Sequence, residues 1–378
     1  MAKRVAMIVP GGIGKPDSIY VIPALQELIE RLSNEFEIEV FCVGSYGNIS
    51  EEYFMGRAHI HYIHREQHVR SLSAWKPLLL LRHILRRHTD NPFDLIHGIS
   101  ALPSGLLAVT IGFLLHISSV LSLQGGEAAA IPEIQYGNML KLQDRIMTTF
   151  AIQYADEVTA LTHYQVEQLA MMGVQREIKQ IIPYGVDLQR FRLISQKNLD
   201  PPYHILHVAN LTEVKDQITL IRAIKLLADK VDCILRIVGH DYLNGKLQKF
   251  VAELGLSAKT EFMGYVFPGK MPEHYNWAHI LLQTSLYEGQ GVVCVEAIAS
   301  GVPVLGTNVG ILSDLKGNGI TTVNISDYYS LYQKILKLLS KPEQYFLCQQ
   351  NSLLWAQQHS IDWTVQKFTE IYKELMEI

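Results

Sequence analysis

Along this chain, short apolar runs of strand length alternate with longer segments of helical period, and that alternation restricts the fold more than any other feature. In the first half, residues 5–9, 37–43, 60–63, 95–97, 118–123 and 157–160 read as strands, with helices over 20–33, 77–88, 137–155 and 162–172. The second half gives strands at 203–209, 234–238, 260–262, 280–283 and 304–306, and helices over 216–228, 245–254 and 270–277. Apolar runs of this kind fit parallel strands covered by helices on both faces. At 378 residues the chain exceeds the usual size of one core. Two α/β domains, each a doubly wound parallel sheet, are therefore predicted. A polar stretch with Pro-Pro over 184–202 marks the join, dividing 1–190 from 191–360.

The segment from 278 to 306 is the most informative single unit. An apolar run over 278–283 reads as a buried strand, and 285–289 follows as a loop. From Gly291 to Ser300 the spacing becomes helical, with Val292, Val295, Ile298 and Ala299 on one face. Gly301 ends that helix, Pro303 blocks its continuation, and 302–306 reads as the next strand. Gly289 and Gly291 allow close backbone approach to a ligand. The helix N-terminus suits a phosphate. Glu288 lies before that terminus and Glu296 inside the helix, so a phosphate there would have a carboxylate on either side, suited to hydroxyl groups. A nucleotide sugar has that layout. An ordinary helix with one capped and one exposed glutamate would give the same local pattern.

Glu288 and Glu296, within Ser-Leu-Tyr-Glu-Gly-Gln-Gly-Val-Val-Cys-Val-Glu-Ala-Ile-Ala-Ser-Gly-Val-Pro-Val-Leu-Gly-Thr, form a Glu-x7-Glu pattern that resembles the signature of the family 4 retaining glycosyltransferases. Other segments are similar to that family in order and spacing: Ile182-Pro183-Tyr184-Gly185-Val186-Asp187 with Phe191, Phe262-Met263-Gly264-Tyr265-Val266, Ile237-Val238-Gly239, and Pro10-Gly11-Gly12-Ile13-Gly14. The resemblance implies a GT-B fold: two Rossmann-like domains facing a cleft, with a last helix within 361–378 returning to the first. It assigns the acceptor to the first domain and the nucleotide-sugar donor to the second.

The resemblance also implies roles. Lys215 would neutralise the departing diphosphate together with N–H groups near Gly291 and Val292. Glu288 would hold donor-sugar hydroxyls, Glu296 the ribose diol, and Tyr265–Val266 the base, with Gly12 and Gly239 at close-approach loops. Two positions depart from the family pattern. Asn210 stands where an arginine is expected, which removes a permanent charge and a bidentate donor set; Lys270 or Arg236 are candidate replacements. Gln124 stands where the family often has a histidine, followed by Gly125 and an acid near Glu127. Glutamine can hydrogen-bond but cannot shuttle protons near neutral pH. His97, in Asp94-Leu95-Ile96-His97, resembles a family histidine at a strand end, and a core histidine is the equal alternative. Gly12 read as a simple tight turn and Lys215 as a solvated surface lysine are likewise open alternatives.

The reaction implied is retaining glycosyl transfer from a UDP- or GDP-sugar to a hydroxyl of a glycan or lipid-linked acceptor, in cell-surface polysaccharide or glycolipid synthesis. It would run by orientation and leaving-group electrostatics. No metal and no cofactor beyond the donor are expected: Asp-x-Asp is absent, and no His/Cys cluster shows ligand spacing. A dinucleotide fingerprint is also missing, because Asp17 stands at the third glycine position. Two alternatives remain: a non-catalytic nucleotide-sugar-binding partner protein, suggested by Asn210 and Gln124, and a different GT-B enzyme such as a nucleotide-sugar epimerase.

A net charge of −4 argues against a general nucleic-acid binder. Scattered cysteines at 42, 233, 294 and 348 and an N-terminal apolar run too short for a signal peptide point to a cytoplasmic protein. Residues 101–126 carry no charge, which a membrane helix or a helix followed by a strand would each explain; Pro103, Gly105, Gly112 and His116 favour the second. The basic, apolar segment 75–88 reads as an ordinary domain helix or as a peripheral contact with the inner membrane face.

Overall fold

A computed structural model describes residues 3–14, 21–44, 52–62 and 76–377. The chain forms two compact units, Met1–Tyr184 with Ile361–Ile378, and Gly185–Ser360. The sequence reading set the division at 190, six residues later. Asp17, residue 63 and the start of the basic segment at Trp75 lie outside the described residues.

The first unit holds an eight-stranded sheet of β1 (Arg4–Val9), β2 (Glu37–Cys42), β3 (Tyr53–Met55), β4 (Ala58–Tyr62), β5 (Leu95–Ile99), β6 (Ser118–Ser122), β7 (Glu157–Ala160) and β8 (Gln180–Ile181). Its order is β3-β4-β2-β1-β5-β6-β7-β8. All neighbours are parallel except β3 and β4, an edge hairpin turned at Gly56 (φ 58°). β1 is buried along its whole length, with an apolar run from Val5 to Val9 behind a buried Arg4. Around the sheet lie α1 (Pro23–Leu32), α2 (Lys76–Asp90), α3 (Leu106–Leu115), α4 (Leu142–Tyr154) and α5 (His163–Met171). The uncharged stretch 101–126 thus contains α3 and β6. No helix among the described residues is long and apolar enough to cross a membrane. α4 starts at Leu142 rather than 137: Gly137 has φ 109°, and a Cβ there would stand 2.0 Å from the Ala129 carbonyl oxygen, so the backbone is turning, not coiling.

The second unit is a wholly parallel six-stranded sheet of β9 (Tyr203–Val208), β10 (Cys233–Val238), β11 (Thr260–Gly264), β12 (Ile280–Gln283), β13 (Val304–Thr307) and β14 (Thr321–Val323), in the order β11-β10-β9-β12-β13-β14. The helices are α6 (Gln217–Ala228), α7 (Lys246–Glu253), α8 (Met271–Trp277), α9 (Val292–Ala299), α10 (Ile311–Asp314), α11 (Tyr328–Leu339) and α12 (Pro342–Gln358). Adjacent strand residues point to opposite faces. Ile205 accordingly joins a core with Leu220, Ile224 and Leu331, while Leu206 joins another with Tyr275, Val295 and Ile298. The last helix, α13 (Ile361–Leu375), belongs to the first unit, where Thr364 Oγ1 donates to the Pro183 carbonyl at 2.8 Å.

Candidate functional site

In the second unit the strand order reverses between β9 and β12. Loops leaving the carboxyl ends of those two strands diverge there, which is where doubly wound sheets bind ligands. After β9 the chain runs through Asn210 to a single 3-10 turn over Glu213–Lys215; after β12 it runs through Ser285 to Glu288. The loops are tied together. The Leu286 N–H donates to the Val214 carbonyl at 2.8 Å, and Thr284 Oγ1 donates to the Lys215 carbonyl at 3.0 Å. Lys215 Nζ consequently meets Glu288 Oε1 at 2.5 Å. The same oxygen accepts from Gln283 Nε2 and Ser285 Oγ, each at 2.6 Å. The Lys215 and Glu288 side chains are 24% and 11% exposed, so the pair is shielded yet open to a ligand.

Beside the pair, α9 begins without a side-chain cap at Gly291, whose φ is 89°. Its first N–H groups and the positive end of its dipole therefore remain for an anion. A Cβ on Gly291 would stand 3.8 Å from Glu288 Cγ, which places the helix start against the carboxylate. The loop after β13 closes the corner: a Cβ on Gly310 would lie 2.8 Å from Glu288 Cβ and 2.5 Å from the Gln290 carbonyl oxygen. Glu296, one turn into α9, accepts from the Tyr275 hydroxyl of α8 at 2.5 Å. Burial and the adjacent carboxylate push the Tyr275 phenol well above its usual range, so it stays a donor.

Asn210 is exposed, and its Oδ1 accepts from the His240 N–H at 3.0 Å. It fastens the loop after β9 to the loop after β10. Gly239, at that turn, is needed for the approach of the two loops: a Cβ would meet the Ala209 carbonyl oxygen at 1.9 Å. Tyr265 and Val266 follow β11 and are half-buried; the Tyr265 hydroxyl finds no partner among the described residues. Lys270 pairs with Glu273 and Arg236 with Glu261, so both candidate replacements for the missing arginine are engaged elsewhere.

In the first unit His97 is a core residue. Its ring is fully buried, with Nδ1 2.6 Å from the Tyr372 hydroxyl of α13 and Nε2 2.7 Å from Ser122 Oγ. Burial lowers its pKa to about 3, so it is a neutral imidazole holding β5, β6 and α13 together. The alternative of a core histidine is the one realised. Gln124 accepts from the Tyr184 hydroxyl at 3.1 Å, and its buried Nε2 has no partner among the described residues. Glu127 is 1% exposed and takes Ser100 Oγ at 2.6 Å. Gly12, after β1, has φ 79° and meets Ile22, so the turn itself requires glycine.

Sequence reasoning missed the groups that surround the expected ones. Gln283 and Ser285 share Glu288, and Tyr275 orients Glu296. A lone Gln closing an apolar strand was the available signal for Gln283. Linear spacing shows no His/Cys ligand cluster, yet the fold gathers histidine and glutamate side chains into two groups. Glu39, His59 and His61 form one group of potential ligand atoms within 4.8 Å of one another, and Glu52, His61 and His83 form another. His59 and His61 share β4, while Glu39, Glu52 and His83 come from elsewhere in the chain, so linear spacing hid the grouping.

Two family models match adjoining parts of the chain: "Glycosyltransferase Family 4" over residues 24–190 and "Glycosyl transferases group 1" over 189–353. An uncharacterized glycosyltransferase of Methanocaldococcus jannaschii is 25% identical over 75% of this chain and 76% of its own length. Sucrose-phosphate synthase from Thermosynechococcus elongatus superposes with TM-score 0.82 at 16% identity, covering 99% of each chain. Anabaena HepE in complex with UDP and glucose superposes with TM-score 0.76 at 17% identity, covering 98% of this chain and 99% of that one. The two doubly wound units have the fold of the GT-B class. With the two models together spanning 24 to 353, the chain belongs to glycosyltransferase family 4.

Proposed function

We propose that the protein is a retaining glycosyltransferase that takes a sugar from a nucleotide diphosphate donor, UDP- or GDP-linked, to a hydroxyl of a glycan or lipid-linked acceptor. One observation carries the reading: a lysine–glutamate pair sits at the switch point of the second sheet, against the uncapped N-terminus of α9. An ammonium has three donors, and Glu288 engages one. The others suit a diphosphate, whose remaining charge the first turn of α9 would meet. Glu288 Oε1 already takes three donors, so a sugar hydroxyl would be recognised by exchange within that set. Glu296, which accepts from Tyr275, would take the ribose diol, and the backbone at Tyr265–Val266 the base. The UDP-and-glucose complex of the Anabaena neighbour supports a uridine donor.

As the leaving group departs, its growing charge would fall on Lys215 and α9, chemistry that calls for no divalent ion at the diphosphate. Work would be done at the cytoplasmic side, with peripheral membrane contact where the acceptor is lipid-linked. The test is release of nucleoside diphosphate from a panel of UDP-, GDP- and ADP-sugars by the purified protein. Release from one donor, unchanged when Mg2+ is omitted, is expected. A second reading, a donor-binding partner without turnover, is favoured by Asn210, which serves as a loop fastener where an arginine was expected. Any enzyme-dependent release or transfer would remove it, while donor binding with no release would replace the first reading by the second.

A further inference from the structure

In the first unit, β4 reads Ala-His-Ile-His-Tyr, which places His59 and His61 two residues apart and hence on one face. Glu39 of β2 lies beside His59 in register. Leu80 and Ile84 of α2 pack with Ala6, Ile8 and Phe41 on the sheet, and His83 comes to 5.3 Å from His61, ring to ring. His61 is 2% exposed and stands between two carboxylates, with Nε2 2.9 Å from Glu39 Oε2 and Nδ1 3.1 Å from Glu52 Oε1. The other Glu52 oxygen is 3.1 Å from His59 Nε2.

A neutral imidazole has one N–H. It can donate to one of the two glutamates, and its other nitrogen then aims a lone pair at a carboxylate oxygen. Two acceptors facing each other repel unless a cation joins them. Glu39 is the better-fixed acceptor, because Arg87 grips both its oxygens at 2.9 Å and Arg4 adds a further bond. Donation from Nε2 to Glu39 leaves Nδ1 as the ligand atom, the arrangement in which an outer carboxylate orients a metal-binding histidine. Both arginines bear on Glu39, so its charge is cancelled and that of Glu52 is not. Tetrahedral zinc, with bonds of about 2.0–2.1 Å, sets its ligand atoms about 3.4 Å apart. His61 Nδ1 lies 3.1 Å from Glu52 Oε1, and the ligand atoms of Glu52, His61 and His83 all lie within 4.8 Å of one another.

We propose that Glu52, His61 and His83 bind a divalent transition metal of the zinc class, with Glu39 as the outer partner of His61. Imidazole and carboxylate donors suit zinc or cobalt, and no thiol is involved. The metal ties β4 and residue 52, just ahead of the edge strand β3, to α2. This role is separate from the donor corner of the second unit.

The test uses the untagged full chain, stripped with a chelator and titrated with Co2+, whose tetrahedral complex absorbs visibly, and with Zn2+ followed by thermal unfolding. Saturable binding and a zinc-dependent rise in midpoint are expected. Glu52→Gln and His83→Gln should each weaken binding at least about tenfold and abolish the rise. Glu52 is 53% exposed, so its variant keeps a folded reference if the histidine variant does not fold. The proposal is overturned by no cobalt absorption and no zinc-dependent stabilisation, or by equal affinity in both variants.

Discussion

Lys215→Met keeps the apolar stem and deletes the ammonium that faces Glu288 at 2.5 Å. At 24% and 11% exposure the pair lies between two regimes. Exposed pairs contribute about 0–1 kcal/mol, whereas breaking a buried pair costs about 3–5 kcal/mol. Gln283 and Ser285 still donate to the stranded carboxylate, which moderates the loss. A destabilisation of about 2 kcal/mol follows, or a fall of about 4–8 °C in unfolding midpoint. Glu288→Gln, which keeps an acceptor oxygen, should cost about 1 kcal/mol. The double variant should fall short of the sum by about 1 kcal/mol, because either single change already ends the ion pair. Urea unfolding of the four proteins gives the cycle. Nucleotide release by Lys215→Met should slow by about 10²–10³, as for loss of one group that stabilises leaving-group charge. Additive stabilities would refute the energetic link, and full turnover in Lys215→Met would refute its role at the diphosphate.

Gly239→Ala should destabilise the second unit by about 3 kcal/mol, from overpacking and backbone strain. The added Cβ meets the Ala209 carbonyl oxygen at 1.9 Å; thermal unfolding measures the loss, and an unchanged midpoint would contradict the close approach. Burial lowers the imidazole pKa of His97 to about 3 and of His207 to about 4, against 6.5 when exposed. The unfolded chain then binds more protons, so stability is complete above pH 6.5 and is lost as pH falls through the window below it. Each imidazole should cost about 2 kcal/mol between pH 6.5 and 5, read by urea unfolding at both values; a flat profile would contradict their burial. Tyr275→Phe should leave the fold intact and weaken donor binding about tenfold through a loosened Glu296, as measured by calorimetric titration; unchanged affinity would detach that tyrosine from the site.

The sheet strands were legible because burial on both faces demands continuous apolar sequence, as in β1 and β12. Short edge elements were not: β3 has three residues, β8 two, and β14 is Thr-Thr-Val, too short or too polar to show a period. α11 and α12 passed unnoticed although α11 carries buried Leu331, Ile335, Leu338 and Leu339 at helical spacing. Glu288 and Glu296 stand out in the sequence because carboxylates are costly in an apolar setting. Their partners Gln283 and Tyr275 depend on which loops meet, and that depends on sheet order. His97 illustrates the reverse error, since a histidine at a strand end reads alike whether it faces a ligand or, as here, Ser122 and Tyr372.

The corner built from Lys215, Glu288 and α9 is proposed to bind a nucleotide sugar. A thermal-shift panel of UDP-, GDP- and ADP-sugars on the wild-type chain and on Glu296→Ala tests it most directly. One donor at about a hundredfold excess over its Kd should add about 2.7 kcal/mol of stability to the wild-type protein, and the shift should vanish in Glu296→Ala. Stabilisation by none of the donors, or an equal shift in the variant, would contradict it.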